Sequence, residues 1–177
     1  MGLFRSPKAL LIPLFTLLIY LGTVFEFAIP GTSLMQTGQT IAVLCAGALL
    51  GPLSGMLAVL LYIVLGVLGL PVFSEGAAGF AVLQGASGGY LLGFVLAAGL
   101  LGLLRRSSKH RQFTVCALAM LAGHALILVC GWAWMSRQMG MLAAYENGIA
   151  PFYLGALVKS FLGAALVQLV ALLKRAA

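Results

Sequence analysis

Long apolar runs alternate along the chain with short breaks that contain polar, glycine or proline residues. Runs of about 20 residues are long enough to cross the hydrocarbon core of a membrane as helices. The breaks predict six helices, at about 9–29, 39–50, 55–70, 88–104, 113–135 and 151–173. The second and third helices are short and flank the segment 51–55, so a tilted or partly inserted hairpin is predicted there. The pattern predicts an all-α integral membrane protein with 1–177 as a single transmembrane domain.

The composition excludes a water-soluble fold. Of the 177 residues, 63% are hydrophobic and 7% are charged, and a soluble core of this size cannot bury so much apolar surface. The first run follows the basic residues Arg5 and Lys8 and shows no clear small-residue cleavage site, so it is predicted to be a retained helix. The three cysteines lie in apolar runs without C-x-x-C spacing, which predicts packing residues.

The charges predict an orientation. With the N-terminus in the cytoplasm, six helices place eight of the ten basic residues on the inner side. These are Arg5, Lys8, Arg105, Arg106, Lys109, Arg111, Lys174 and Arg175. The acids Glu26, Glu75 and Glu146 then lie at or near outer ends of helices or in outer loops. The topology is therefore predicted to be N-in and C-in, and the net charge of +7 reflects topology rather than nucleic-acid binding.

Lys159 is the most informative residue of the last predicted helix, since it lies about eight residues, roughly 12 Å, inside the start of that helix. A cation at that depth must be satisfied. Its helical neighbours are Gly155, Ala156 and Gly163, which predicts a groove of small side chains beside one positive donor. Such a groove suits an anionic or carbonyl-bearing ligand, and the alternative is that Lys159 snorkels to the outer interface.

Other polar and aromatic residues are predicted at the same membrane depth as Lys159. They are Gln39, Thr40, Phe73, Glu75, Tyr90 and Trp134. Phe73 and Glu75 lie in a long glycine-containing loop, 71–87. Each has an ordinary account alone, as a helix-start polar group or an interfacial aromatic. Together they are predicted to line one amphipathic pocket, with the loop as a lid.

Catalytic function has little support in the sequence. The chain has no Asp and three Glu, and it contains no G-x-S-x-G, H-E-x-x-H or P-loop motif. His124 has no metal-ligating partner within a turn, so a neutral His bonded to a neighbouring helix is predicted. An intramembrane enzyme acting on a lipid intermediate, with His124 or Glu75 as general base, and a ligand-free structural membrane protein remain as alternatives.

Four stretches carry a resemblance to a known family. They run from Gln39 to Gly47, from Leu50 to Gly55, from Leu61 to the Gly-Leu-Pro-Val-Phe segment ending at Phe73, and from Gly85 through Gly-Gly-Tyr-Leu-Leu-Gly to Phe94. Weaker similarity continues at Gly131-x-x-Trp134 and over 151–159. The chain resembles the BioY family, the biotin-specific substrate-capture subunits of energy-coupling-factor transporters.

The resemblance implies biotin as the transported substrate with no cofactor or metal, a multi-pass location in the cytoplasmic (inner) membrane, and partnership with a transmembrane coupling subunit and two cytoplasmic ATPases. It implies a pocket that includes Lys159, Tyr90 and the loop after Phe73, with Glu75 and Gly76. The family typically has Asp at the position of Ala156, so Glu75, Tyr90 or Gln39 would have to accept from the ureido N–H groups. The first predicted helix also lacks the Ala-x-x-x-Ala motif used against the coupling subunit.

Overall fold

The computed structural model describes residues 7–28, 35–105 and 112–176. The described elements are helix α1 (Pro7–Val24), strands β1 (Glu26–Ala28) and β2 (Met35–Thr37), and helices α2 (Gln39–Leu50), α3 (Pro52–Val67), α4 (Ala81–Gln84), α5 (Gly88–Leu104), α6 (Phe113–Met139), α7 (Met141–Gly148) and α8 (Tyr153–Ala176). A short 3-10 turn, Ser74–Gly76, precedes α4. The six long helices correspond to the six predicted from the apolar runs.

The main difference from the predicted helices is at the end of the first apolar run. Helix α1 ends at Val24 rather than at residue 29, and the chain continues as β1, which pairs antiparallel with β2. Aromatic residues such as Phe25 and Phe27 favour extended backbone, and Pro30 and Gly31 follow. The expected all-α fold is therefore corrected to a helical bundle with one small hairpin. The side chain of Glu26 lies outside the described residues, as do Arg5, Arg106, Lys109 and Arg111.

Helix α5 lies at the centre of the bundle and contacts α2, α3 and α6. Gly47 allows the approach of α2, because a Cβ atom at this position would overlap the backbone of Ala98 in α5. On the other side of α2, Gly55 of α3 lies directly against Gly47. Small residues therefore bring three helix backbones together, as is common where helices pack closely in membranes. Cys45 and Cys116 are buried free thiols, as predicted.

The bundle has two distinct ends. The loop end carries 71–87 and the starts of α2, α5 and α8. The opposite, basic end carries Arg105, Lys174 and Arg175 at the ends of α5 and α8. By length and composition, α6 and α8 can each cross a membrane, whereas the other apolar helices in the described part of the chain are shorter. Helix α2, with 12 residues, is about 18 Å long, which is shorter than the roughly 30 Å hydrocarbon core of a bilayer.

Candidate functional site

A cavity of about 310 Å³ opens at the loop end of the bundle. It lies between α2, α5, α6 and α8 and under the loop 71–87. Six of the seven predicted site residues line it, namely Gln39, Thr40, Phe73, Glu75, Tyr90 and Lys159. The seventh, Gly76, does not line the cavity: it is exposed at a turn where its φ of 70° favours glycine.

One side of the cavity is aromatic. Tyr62 of α3, Phe73 of the loop and Phe94 of α5 line it and are buried. The ring of Phe73 fills the space left by the missing side chain of Gly66 and meets the ring of Tyr62 edge to face, with centroids 5.5 Å apart and an interplanar angle of 85°. Tyr62 also donates from its hydroxyl to the carbonyl of Val72 at 3.0 Å. We call these three residues the aromatic wall.

The facing side is polar and begins where α2 begins. Gln39 is 4% exposed, and its amide nitrogen Nε2 is the buried side-chain nitrogen or oxygen atom without a hydrogen-bond partner in the described ranges. Gly22 of α1 makes this position possible, because a Cβ atom there would meet the backbone of Gln39. Leaving a buried amide donor unpaired costs about 1–3 kcal/mol, so this side of the cavity is prepared for a polar group.

His124 of α6 extends the polar side by bridging two other helices. Its Nε2 lies 3.1 Å from Oγ1 of Thr40 in α2, and its Nδ1 lies 2.9 Å from Oγ of Ser160 in α8. Nδ1 is also 3.1 Å from the carbonyl of Met120. Ser160 in turn donates to the carbonyl of Ala156 at 2.7 Å. The predicted bond from His124 to a neighbouring helix is therefore confirmed, in two directions.

Lys159 completes the polar side from α8. Its Nζ donates to the carbonyl of Thr37 at 3.2 Å, so the cation is tied to the segment that enters α2. Lys159 lies six residues after the start of α8, about 9 Å along the helix. We call Gln39, Thr40, His124 and Lys159 the polar wall.

Only part of the predicted groove of small residues beside Lys159 belongs to the cavity. Ala156 lines the cavity, but the space over Gly155 is filled by the side chain of Gln36, which donates to the carbonyl of Pro151 at 3.2 Å. Gly163 faces Met120 of α6. The small residues of α8 therefore serve helix and hairpin packing at two of the three positions.

The loop over the cavity is fixed at three points. Phe73 is held in the notch at Gly66, and the backbone N–H of Gly79 donates to the carbonyl of Gly66 at 2.8 Å. Further along, the indole of Trp134 in α6 donates to the carbonyl of Gly85 at 3.0 Å. Between the first two points, Glu75 lies at the tip of the loop with a left-handed φ of 58°. It is exposed, and it also lines the cavity.

The match to known proteins covers nearly the whole chain. The model of the BioY family matches residues 3–176. This chain belongs to the BioY family.

Relatives of this family member come from distant organisms. It is 33% identical over 156 residues to the probable biotin transporter BioY of Pyrococcus horikoshii, covering 88% of this chain and 91% of the relative. It is 35% identical over 147 residues to the biotin transporter BioY of Thermotoga maritima, covering 82% and 85%. The crystal structure of the S-component for biotin from an ECF-type ABC transporter has the same fold, with a TM-score of 0.84, 23% identity, and coverage of 97% of this chain and 94% of that one.

Two aromatic residues of this BioY family member differ from their expected roles. Tyr90 lines the cavity, and its hydroxyl donates inward to the carbonyl of Gly148 at 2.7 Å rather than lying in an interfacial belt. Trp134 does not line the cavity but holds the loop, with the guanidinium of Arg137 4.2 Å above its ring. Both residues lie at the loop end, as expected, but Tyr90 lines the cavity whereas Trp134 holds the loop.

The sequence interpretation missed four contributors to the site. Tyr62, Phe94 and Phe152 line the cavity, and Ser160 supports His124 from below. The three aromatics look like ordinary apolar residues of a span. A weak signal existed for Ser160, since it follows Lys159 in an apolar helix.

In the described ranges, no group of three His, Cys, Asp or Glu residues could hold a metal ion.

Proposed function

We propose that this chain binds biotin in the cavity at the loop end and is the substrate-capture component of a biotin uptake system. In this proposal six helices cross the cytoplasmic (inner) membrane, with both termini in the cytoplasm and the loop end outside. A transmembrane coupling subunit and two cytoplasmic ATPases supply the energy. The names of the BioY relatives and the shared fold support this function.

The chemistry of biotin suits a cavity with two unlike walls. Biotin has an apolar bicyclic and aliphatic body, a cyclic urea and a carboxylate. The aromatic wall offers apolar surface, and the polar wall offers a buried amide and a cation. A volume of about 310 Å³ lies at the small end of the range for ligand pockets, which is roughly 300–1,000 Å³.

The single observation that carries the proposal is the buried, unpartnered amide nitrogen of Gln39 in a cavity that Lys159 also lines. A structural protein without a ligand would gain by pairing or replacing this amide. Lys159 adds a charge-assisted donor, which we assign to the carboxylate or the ureido carbonyl of biotin. The amide nitrogen of Gln39 gains a partner only when a ligand with an acceptor fills the cavity, whereas Lys159 also donates to the carbonyl of Thr37.

The distribution of charge supports the orientation. Arg105, Lys174 and Arg175 lie at the basic end, whereas Glu75 and Glu146 lie at the loop end. Positive residues remain preferentially on the cytoplasmic side, so this arrangement faces the cavity outward. The loop 71–87 then lies between the cavity and the external solution, and we propose that it opens at its tip to admit biotin.

Helix α1 lacks the small-residue motif that the family uses against the coupling subunit, and its packing indicates a different surface. The polar and small residues of α1 contact neighbours within the chain: Thr16 donates to the carbonyl of Ala58 at 2.9 Å, and Gly22 packs on Gln39. Leucines of the same helix, such as Leu14, Leu18 and Leu21, are exposed. We propose that any contact of α1 with a coupling subunit uses this leucine surface rather than a small-residue motif.

An enzymatic function is not supported. The relatives are named transporters. The ring nitrogens of His124 lie within hydrogen-bond distance of Thr40 in α2 and Ser160 in α8. The hydrogen bonds of His124 therefore join helices, and no role in proton abstraction is assigned to it.

Thermal stability of the detergent-purified protein, freed of bound biotin, tests the proposal. A ligand that binds only the folded state stabilises it by RT ln(1 + [L]/Kd), about 2.7 kcal/mol at a hundredfold excess over Kd. We expect a saturable rise in the unfolding temperature with biotin and none with nicotinamide, a vitamin without a ureido group. Folded protein that shows no shift with biotin would contradict the proposal.

A further inference from the structure

We infer that Thr40 accepts a hydrogen bond from a ureido N–H of the ligand, and that His124 and Ser160 hold Thr40 in this role through an ordered chain of hydrogen bonds. This inference rests on the proposed function, because it names the part of biotin that meets the polar wall. It assigns Thr40 as a specificity-determining residue, with His124 and Ser160 as positioning residues.

The order of the chain begins at Ser160. Its Oγ lies 2.7 Å from the carbonyl of Ala156, and since a carbonyl only accepts, the single proton of this hydroxyl is used there. The oxygen of Ser160 is therefore an acceptor toward Nδ1 of His124 at 2.9 Å. The second neighbour of Nδ1, the carbonyl of Met120 at 3.1 Å, is also an acceptor. Nδ1 must carry the proton.

The order continues through the imidazole ring to Thr40. His124 is 3% exposed, and its partners in the described part of the chain are two hydroxyls and a carbonyl, none of which is anionic. A doubly protonated ring would be an unpaired buried charge, so Nε2 keeps a lone pair. Thr40 lies 3.1 Å from Nε2 and must donate to it.

This order has a consequence for the cavity. A hydroxyl has one proton and two lone pairs, and the proton of Thr40 points to His124. Thr40 lines the cavity, so it offers the ligand an acceptor and no donor. A ligand N–H can donate to this oxygen. A ligand carbonyl or ether oxygen in the same place would instead meet the lone pairs of the Thr40 hydroxyl and be repelled.

The neighbouring residue supplies the complementary group. Gln39 has an unpartnered amide nitrogen, which is a donor, directly before Thr40 at the start of α2. Both residues line the cavity, and their donor and acceptor are the groups that the carbonyl and an N–H of a cyclic urea need. We therefore place the urea of biotin against the start of α2.

The other acceptors considered for this role are less well placed. The hydroxyl of Tyr90 is directed to the carbonyl of Gly148, a residue that does not line the cavity. Glu75 lies exposed at the tip of the loop. Ala156, although it lines the cavity, has no polar side-chain atom. Thr40 is fixed by a buried partner and belongs to a helix that contacts both α5 and α8.

The test combines variants of Thr40 with ligands altered at the urea. Binding is measured by calorimetry for biotin and for its two derivatives methylated at one or the other ureido nitrogen. We expect Thr40→Val to lower biotin affinity about tenfold or more, because a buried N–H loses its partner, and Thr40→Ser to restore it. For one of the two methylated derivatives, which lacks the N–H in question, Thr40→Val should cause no further loss.

A matched control is available on α1. Thr16→Val removes a buried hydroxyl that bonds to the carbonyl of Ala58, outside the cavity, and should leave the affinity ratios of the three ligands unchanged. Equal effects of Thr40→Val on biotin and on both methylated derivatives, or no effect on biotin, would overturn the inference. If the wild-type protein binds no biotin at all, the proposed function fails instead.

The positioning role has its own readout. In His124→Phe, the hydroxyl of Thr40 loses its acceptor and can turn its proton toward the ligand. We expect this variant to lose much of the discrimination between biotin and the sensitive methylated derivative, with the melting of the ligand-free protein showing that it folds. A folded His124→Phe protein with wild-type discrimination would overturn the positioning role. If this variant does not fold, His124→Gln is measured instead, because its amide can accept at a similar distance. Retained discrimination between the two ligands supports the positioning role of His124, and lost discrimination contradicts it.

Discussion

The two walls of the cavity are built on different principles. The polar wall consists of groups from α2, α6 and α8 whose hydrogen bonds define donors and acceptors, as in the bond between His124 and Thr40. The aromatic wall consists of rings from α3, the loop and α5 that fit by shape, as when Phe73 fills the notch at Gly66. From this comparison we expect the polar wall to select the ligand and its orientation, and the aromatic wall to enclose the cavity.

The walls also differ in how the chain connects them. Residues of the aromatic wall are close in sequence, since Tyr62 and Phe73 are joined by the turn after α3. The polar wall joins distant segments: Lys159 of α8 donates to the carbonyl of Thr37, and Gln36 donates to that of Pro151. Truncation of a buried ring in the aromatic wall should lower the folding stability, whereas loss of a polar-wall group that lines the cavity should affect ligand binding more than folding.

The largest effect is expected for Phe73→Ala. Phe73 is 4% exposed and supports both the loop and Tyr62, so its truncation leaves a cavity that costs about 3–5 kcal/mol of folding free energy. Thermal unfolding of the purified protein measures this loss. Phe80→Ala, in the same loop at 60% exposed, is the matched control and should change little. Equal melting temperatures for the two variants would show that the aromatic wall does not hold the loop.

A smaller effect, on binding rather than folding, is expected for Lys159→Ala. Loss of a charge-assisted hydrogen bond to the ligand should cost about 1.5–3 kcal/mol of binding free energy, roughly tenfold to a hundredfold in Kd. Calorimetric titration with biotin measures it. Lys159→Gln keeps a donor for the carbonyl of Thr37 without the charge, and so separates the two roles of the residue. Unchanged affinity in a folded Lys159→Ala protein would remove this residue from the site.

The smallest effect is expected for Glu75→Gln. Because Glu75 lies exposed at the loop tip and Thr40 is assigned as the ureido acceptor, the substitution should change the binding free energy by no more than about 0.5 kcal/mol. The same titration measures it. A loss of tenfold or more would return the acceptor role to the carboxylate of Glu75, as the sequence alone allowed, and would move the urea from the polar wall toward the loop.

Much of the fold was predictable because its helix boundaries are marked by residue type. Helix α2 ends before Gly51-Pro52 and α5 begins at Gly88, as predicted, since glycine and proline interrupt apolar runs. The hairpin of β1 and β2 was missed because Phe25, Phe27 and Ala28 continue the apolar run of α1 with Glu26 as the single interruption. Helix α6 continues to Met139 through Ser136 and Arg137, which the polarity pattern had assigned to a loop.

The site was predictable where a residue conflicts with its surroundings. Lys159 and Gln39 are conspicuous in apolar segments, and both line the cavity. Tyr62 and Phe94 carry no such conflict, because an aromatic ring suits a core, a lipid-facing surface and a ligand equally well. The contact between His124 and Ser160 joins residues 36 positions apart, and only the packing of α6 on α8 brings them together.

The attachment of Trp134 to the loop gives the molecule a built-in optical probe. The chain has two tryptophans, and the indole of Trp132 donates to the carbonyl of Met141, away from the loop 71–87. The indole of Trp134 instead donates to the carbonyl of Gly85 within that loop. A movement that breaks this bond changes the surroundings of one indole while the other stays as it was. Intrinsic fluorescence, with Trp132→Phe to isolate the signal, can thus time the opening and closing of the loop without any attached dye.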